Sequence, residues 1–368
     1  MLLNLYIIPF IIISGLLFSV KENKRSRLSY ISLCSILLIL IASLRSPEWM
    51  TSKYSIDTLN YKGYFERSFD MGWSEFSQSF YLRYFLGVDD FDMGFVALNR
   101  LISFFTHEFW AYSMVADLLF FVPFGMMLYR YTTNIWQIMF AFVFYVALVQ
   151  IFLFAGARQM FSLGFDLMAL LAIIDKKRIR AALFFLLGIS IHFSSILFAI
   201  PLFMVWYGFK PMTLKSLHAV CLILFPVVLF FPNEIIRFMG DSVGMEKYSD
   251  YGKGIIQGGS ETFIFLIETL SLFCFFAINH KVLRANQNIR DFYVMAPLLT
   301  FFAPLIISNG SMIRISLYFH LFLTLLVPYA IDSTFGNKRG IVYAGAIGIM
   351  SLLIITGGGI EYYFFWQR

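Results

Sequence analysis

The chain has 368 residues, of which 60% are hydrophobic, 19% aromatic and only 14% charged, with a mean hydropathy of +0.76. Soluble domains carry about 25% charged residues, so a soluble enzyme, a disordered chain, a secreted disulfide scaffold and a nucleic-acid binder are excluded together. The net charge of +6 takes its meaning from how it divides among the loops, and a polytopic membrane protein is the class that remains.

A helix needs about 20 apolar residues to cross roughly 30 Å of hydrocarbon. On that rule the spans fall near 2–20, 28–44, 110–129, 134–154, 158–174, 181–207, 216–231, 261–279, 292–308, 312–331 and 340–358. The expected fold is therefore all-α and polytopic, with about ten to twelve transmembrane helices in one membrane domain, 1–368. The first run has no basic residue before it, whereas Lys21, Lys24, Arg25 and Arg27 follow it. That is the reverse of a cleaved secretory leader, so it counts as a span. Cys34, Cys221 and Cys274 all lie inside apolar runs and read as small hydrophobes.

The polar turns at 21–27, 175–180, 280–290 and 336–339 are rich in Lys and Arg, which places them in the cytoplasm and the N-terminus outside. Two longer stretches contrast with them. Residues 45–109 read as an external loop region, with GFVALNRLISFF at 94–105 as an amphipathic helix inside it. Residues 232–260, rich in glycine, read as a second external loop. One parity conflict follows. The turns at 175–180 and 280–290 are both basic, yet three apolar segments separate them. One segment within 181–231 must then be broken or re-entrant, and the break is expected near His192. Such a segment survives at membrane depth only where protein or a watery cavity satisfies its backbone.

Ionisable side chains at membrane depth cost a few kcal/mol, so they mark where function is to be sought. Arg158, His192 and Arg314 stand out, with Asp57 in the external loop; Asp117, Asp166 and His320 are further intramembrane candidates. On the expected topology the first four gather toward the outer face. Two arginines there suit a pyrophosphate or carboxylate held by bidentate bonds. Asp57 and His192 suit proton acceptors for a sugar hydroxyl, and Asp89, Asp90 and Asp92 compete for the same role. Tyr54, Tyr61 and Tyr64 offer flat faces with polar edges to sugar rings. Asp166 reads as an interhelical bond partner, and His107, Glu108 and His218 as interface residues. No metal-binding cluster is visible.

Five stretches resemble, in order, the motifs of the EpsG family of Wzy-type polysaccharide polymerases. LRSPEWMTSKYSIDTLNYKGYFE resembles the first external loop, through Arg45, Asp57, Asn60 and Tyr61. DMGFVALNRLI resembles the acidic residue and Gly-Phe that precede a helix. ARQMFSLGF is similar to the Arg-Gln span, here Arg158 and Gln159. SIHFSSILFAIP is similar to the His with small hydroxyls, here His192, Ser194 and Ser195. NGSMIRISLYF resembles a late span carrying Arg314 and Tyr318. Where the family often has Ala shortly after Arg-Gln, this chain has Ser162 and Gly164.

The resemblance implies a GT-C-like membrane glycosyltransferase of the bacterial cytoplasmic (inner) membrane, with its site facing outside. It would join oligosaccharide repeat units carried on undecaprenyl diphosphate into O-antigen, capsule or exopolysaccharide. Arg158, Arg314 and Arg45 would bind the diphosphate, Asp57 and His192 would be catalytic, and Tyr54, Asn60, Tyr61, Gln159 and Ser194 would contact sugar. No cofactor, sugar nucleotide, nucleic acid or obligatory divalent ion is expected; a flippase and a chain-length regulator of the same pathway are expected partners. Plainer readings compete at each position. Arg158 and Arg314 can snorkel or cap, Asp57 can cap a loop helix, His192 can be satisfied by carbonyls at a helix break, and Arg45 can be an interfacial anchor. Two rival functions remain open: a flippase or transporter for lipid-linked oligosaccharides, and a membrane sugar acyltransferase. The flippase would place costly charges on both faces, and the acyltransferase would set acids near an embedded His on the inner or central side.

Overall fold

The computed structural model describes residues 4–47, 55–84, 92–150, 152, 156–243, 260–356, 362 and 364–366. Every regular element among them is helical, and an isolated antiparallel bridge joins Arg45 to Phe364. Two compact units divide the chain: Met1–Ala199 with Ala346–Arg368, and Ile200–Gly345. Five described helices are long and apolar enough to cross a membrane, namely Lys24–Ser43, Phe109–Tyr131, Ala157–Ile174, Pro211–Phe230 and Gln287–Ile307. A sixth is formed if Gly310–His320 and Leu323–Ile354, bent by 54° at their junction, count as one span. The other expected spans include shorter apolar helices such as Tyr6–Ser19, Ile135–Leu148 and Phe193–Tyr207.

The first unit begins with α1 (Asn4–Ser19) and α2 (Lys24–Ser43). Asn23 and Ser26 form a reciprocal capping box that starts α2, satisfying amides that the helix itself leaves open. Helices α3 (Ser55–Arg67), α4 (Trp73–Tyr84) and α5 (Met93–Ser103) make up the described part of the expected external region. Then come α6 (Phe109–Tyr131), α7 (Ile135–Leu148), α8 (Ala157–Ile174) and α9 (Arg178–Ile191). α7 is 14 residues long, about 21 Å, and is buried on almost every side, as a helix apolar all round must be. α7 lies beside α1 and α2, α2 beside α6, α6 beside α8, α8 beside α9, and α5 on α9.

Three turns meet at one end of this unit. The Ile135 amide donates to Glu22 Oε1 at 2.9 Å, Arg27 donates to the Thr132 carbonyl, and Arg130 pairs with Asp175. Two of these turns, at 21–27 and 175–180, are among those that the charge pattern assigns to one side. At the other end, α3 and α5 pack on the ends of α6, α8 and α9 through an aromatic core. Phe65 stacks on Tyr112 at 4.5 Å, Tyr61 meets Phe95 edge-on at 6.0 Å, and Phe161 and Ile191 complete the cluster. Arg100 donates to the Ser68 carbonyl at 2.9 Å, closing the end of α3.

The expected interruption at His192 is present. α9 stops at Ile191, His192 is extended (φ −150°, ψ 109°), and a 3-10 turn runs over Phe193–Phe198. The second unit holds α10 (Ala199–Tyr207), α11 (Pro211–Phe230), α12 (Pro232–Val243), α13 (Glu261–Ala277), α14 (His280–Ala285), α15 (Gln287–Tyr293), α16 (Met295–Phe302), α17 (Ile313–His320) and α18 (Leu323–Phe335). The chain returns to the first unit within α19 (Arg339–Thr356). Large apolar side chains such as Ile223, Phe230, Phe265 and Phe276 stand exposed on these helices, which a bilayer tolerates and water does not.

Candidate functional site

In the first unit the structure brings Asp92, Arg158 and His192 together. Asp92 Oδ2 lies 3.5 Å from His192 Nδ1 and 3.8 Å from an Arg158 Nη. Each comes from the start or end of a different helix. Asp92 is the N-cap residue of α5, yet its side chain makes no capping bond. Arg158 is the second residue of α8. His192 follows α9 directly.

The convergence has a steric cause. A Cβ on Gly94 would sit 2.6 Å from the Ser190 carbonyl oxygen, inside any real contact distance. Only glycine lets α5 cross α9 so closely, and that crossing carries Asp92 to the break in α9. The break is fixed from below by α8. Ser162 Oγ donates to the Gly188 carbonyl at 3.0 Å, and Ser195 Oγ donates to Asp166 Oδ1 at 2.7 Å. Asp166 is thus the interhelical bond partner that the sequence predicts. Irregular backbone at membrane depth is held by protein here, as the physics of the bilayer requires.

Arg158 lies 5.5 Å over the Phe95 ring, a cation–π placement worth about 0.5–1 kcal/mol. One guanidinium nitrogen faces Asp92, and Nε is buried with no hydrogen-bond partner among the described residues. A buried donor left unmade costs about 1–3 kcal/mol. The guanidinium is therefore one donor short of satisfaction at this position. The Asp92–His192 spacing is long for a formed hydrogen bond; contacts of this type commonly tighten only with substrate in place.

The arrangement lies at the opposite end of the unit from the three meeting turns. α8 has 18 residues, so Arg158 stands roughly 27 Å from the Asp175 end. The remaining expected site residues are placed as follows. Tyr54 and the side chain of Asp57 lie outside the described residues, although α3 includes the Asp57 backbone. Asn60 is exposed and Tyr61 is buried in the aromatic core. Gln159 and Ser194 are buried next to Arg158 and His192 in sequence. Arg45 is buried; its guanidinium donates to the Ala42 carbonyl at 3.2 Å and to Thr58 Oγ1 at 3.4 Å. The tail closes over that region: Tyr362 donates to the Ile41 carbonyl at 2.6 Å, and the Phe365 amide to Leu44 at 3.0 Å. Arg314 belongs to the second unit, half-buried in the first turn of α17.

A second polar group lies inside the second unit and corrects the reading of His218 as an interface residue, since its side chain is fully buried. His218 of α11 contacts the Tyr293 hydroxyl at 2.8 Å through Nδ1 and the Ser271 hydroxyl at 3.1 Å through Nε2. Ser271 meets Thr300 at 2.8 Å, and Lys215 Nζ donates to Tyr293 at 3.3 Å. The sequence holds a partial signal, since Lys215 and His218 are three apart on one helix face. Their partners come from distant helices and could not be read. Among the described residues, no three His, Cys, Asp or Glu side chains are placed to hold a metal ion.

The fold and these buried charges define a polytopic, all-helical membrane protein with a polar recess at one end of its first unit. The EpsG family model matches residues 49–357, and the chain belongs to the EpsG family. That membership places it among membrane polysaccharide polymerases of glycosyltransferase type. No curated protein and no solved structure matches the chain.

Proposed function

We propose that this protein joins oligosaccharide repeat units carried on undecaprenyl diphosphate, at the outer face of the bacterial cytoplasmic membrane. The observation that carries this reading is the unmade Nε donor of Arg158 beside the Asp92–His192 pair. A glycosyl transfer from a lipid diphosphate needs positive charge where the diphosphate leaves and a base where the hydroxyl attacks. The acceptor oxygen bonds to the anomeric carbon, the bond from that carbon to the diphosphate oxygen breaks, and the hydroxyl proton passes to the Asp92–His192 pair. Arg158 holds the departing diphosphate through that donor, so charge that develops in the transition state meets a fixed partner. Gln159 and Ser194, buried and next in sequence to Arg158 and close to His192, stay candidate sugar contacts. Asp57 stays an acceptor-side candidate, and Arg45 and Arg314 stay candidate anion contacts, each to be tested through its own substitution.

The outward orientation rests on the positive-inside rule applied to the basic turns at 21–27 and 175–180, opposite the recess. A flippase and a chain-length regulator working on the same lipid-linked glycans are the expected partners. The test is deletion of the gene followed by electrophoresis of the surface polysaccharide. Loss of long chains with single repeat units retained supports polymerisation; loss of every unit from the surface supports a flippase instead. Cysteine placed at Trp73, which is 79% exposed, should react with an impermeant maleimide on intact cells. Cysteine at exposed Lys177 should react only after lysis, and the reverse pattern would invert the topology.

A further inference from the structure

Beside the Asp92–Arg158–His192 recess, α3, α4 and α5 enclose a small cleft of about 120 Å³, lined in part by Tyr64, Arg67, Ser68, Ser79, Phe95 and Asn99. By the same measure a single water needs some 10–15 Å³, so the cleft has room for several waters or one pyranose ring. Its floor is Asn99, which is 2% exposed and whose Oδ1 has no partner among the described residues. A buried amide oxygen in that state costs about 1–3 kcal/mol unless a ligand or water supplies a donor. At the rim, the Arg67 guanidinium stacks 5.6 Å over the Tyr64 ring, which aims its donor fork instead of leaving it to wander. Asn99, Arg67 and the two serines together offer both donors and acceptors at fixed positions. That mixture suits sugar hydroxyls. The opposite side of α5 makes a useful contrast. There a larger hollow of about 250 Å³ is lined by Trp73, Phe76, Arg100, Leu101 and Phe104, and Arg100 is already engaged by the Ser68 and Phe69 carbonyls and the Phe104 ring.

The cleft and the recess share one helix and one aromatic ring. Asp92, Phe95 and Asn99 fall on one face of α5, at spacings of three and four residues. Asn99 lies seven residues beyond Asp92, about 10 Å along the axis, and Phe95 lies between them beneath Arg158. We propose that this cleft is a saccharide subsite that grips the acceptor repeat unit one ring behind the reacting hydroxyl. This rests on the polymerase reading above. It gives the external region a task of its own: α3–α5 select and hold the acceptor, while the break at His192 and the start of α8 carry out the transfer.

The test uses the full-length protein in cells making their own surface polysaccharide. Benzoylphenylalanine is placed at Ser79, on the cleft wall, and as a control at Phe105, which is 84% exposed and outside the cleft. After irradiation, the Ser79 protein should carry covalently bound carbohydrate and the Phe105 protein none. In parallel, Ser79→Trp, which fills the cleft, should lower long-chain polymer at least tenfold at unchanged membrane abundance, whereas Phe105→Trp, outside the cleft, should not. Ser79 is half-buried, so these variants spare the fold. No adduct at Ser79, together with normal chains from Ser79→Trp, overturns the subsite while leaving the polymerase reading intact. Normal chains from Arg158→Ala overturn the polymerase reading itself, and the subsite with it.

Discussion

Ser195 donates a hydrogen bond to Asp166 at 2.7 Å, from the 3-10 turn after His192 to the middle of α8. Both residues are fully buried. A Cβ on Gly188 would lie 2.8 Å from Asp166 Oδ1, so the carboxyl is wedged between α9 and the turn. This contact does what regular helix hydrogen bonding cannot do at an interruption: it anchors the chain just past the break and so fixes where His192 stands.

Removing the donor is the direct probe of that anchor. Ser195→Ala leaves a buried carboxyl oxygen without its partner, at a cost of about 1–3 kcal/mol. The expected result is a lower thermal unfolding temperature in detergent and shorter polysaccharide chains from cells expressing the variant. Ser195→Thr keeps the hydroxyl and should recover chain length. Chain length and melting temperature both unchanged in Ser195→Ala would remove the anchoring role.

Arg158 offers a sharper contrast, because charge and geometry can be separated there. Arg158→Ala removes both and should abolish long chains while single repeat units still reach the surface. Arg158→Lys keeps the charge but cannot present two parallel donors. It should retain measurable polymer, reduced at least tenfold, which corresponds to about 1.4 kcal/mol of lost transition-state stabilisation. A lysine variant equal to the native protein on a polysaccharide gel would mean that simple charge suffices.

Gly94 tests whether the site depends on how closely two helices cross. Gly94→Val drives two methyl groups into the Ser190 backbone, and overpacking of this kind typically costs 1–3 kcal/mol. The variant should reach the membrane in reduced amount, and what arrives should make little polymer, because Asp92 is pushed away from His192. Native activity per molecule, measured by immunoblot and gel together, would show that the crossing is not needed.

Much of this was readable from residues alone, for a definite reason. Apolar runs, basic turns and the parity conflict are one-dimensional properties, and they located the described helices long enough to cross a membrane and the interruption at His192. Arg158 and His192 stood out because charge in an apolar run is costly wherever the helix points. Asp92 did not stand out from Asp89 and Asp90. Asp89 and Asp90 lie outside the described residues, and what places Asp92 is the α5–α9 crossing allowed by Gly94, a relation between two helices that no spacing encodes. His218 was hidden similarly: its partners Tyr293, Ser271 and Thr300 come from three other places in the chain. α7, expected as part of a full-length span, is short because it is an internal helix covered by its neighbours, where 14 apolar residues fill the space.

The Arg130–Asp175 pair gives a pH prediction at the end opposite the site. The hydrogen bond from Arg130 holds the Asp175 carboxyl below its usual range, with the Arg130 and Lys177 charges adding to the effect. A carboxyl whose folded value is depressed contributes stability above its unfolded value, near pH 4. That contribution is lost as the pH falls through the folded value. Both side chains are partly exposed, so the effect is small, at most about 1 kcal/mol. Thermal unfolding of the purified protein should show native and Arg130→Ala differing slightly at pH 7 and converging in acid, once the pH has fallen through the depressed folded value. Raising the salt at pH 7 should narrow the same gap, and a gap that persists in acid would assign it to lost packing of the arginine stem.

The His218 cluster separates structure from catalysis. Its hydrogen bonds join α11, α13, α15 and α16 within the second unit. Interhelical hydrogen bonds in membranes average only about 0.6 kcal/mol each, but removing one member strands several. His218→Phe keeps the ring size and leaves Tyr293 and Ser271 without that partner, so a loss of about 1–3 kcal/mol is expected. The measurable consequence is a lower unfolding temperature and less protein in the membrane. Polymer made per surviving molecule should stay at the native level, unlike in Arg158→Lys. If instead the variant is as stable as the native protein yet makes no long chains, then this cluster takes part in the reaction, and its role is not that of a brace between helices.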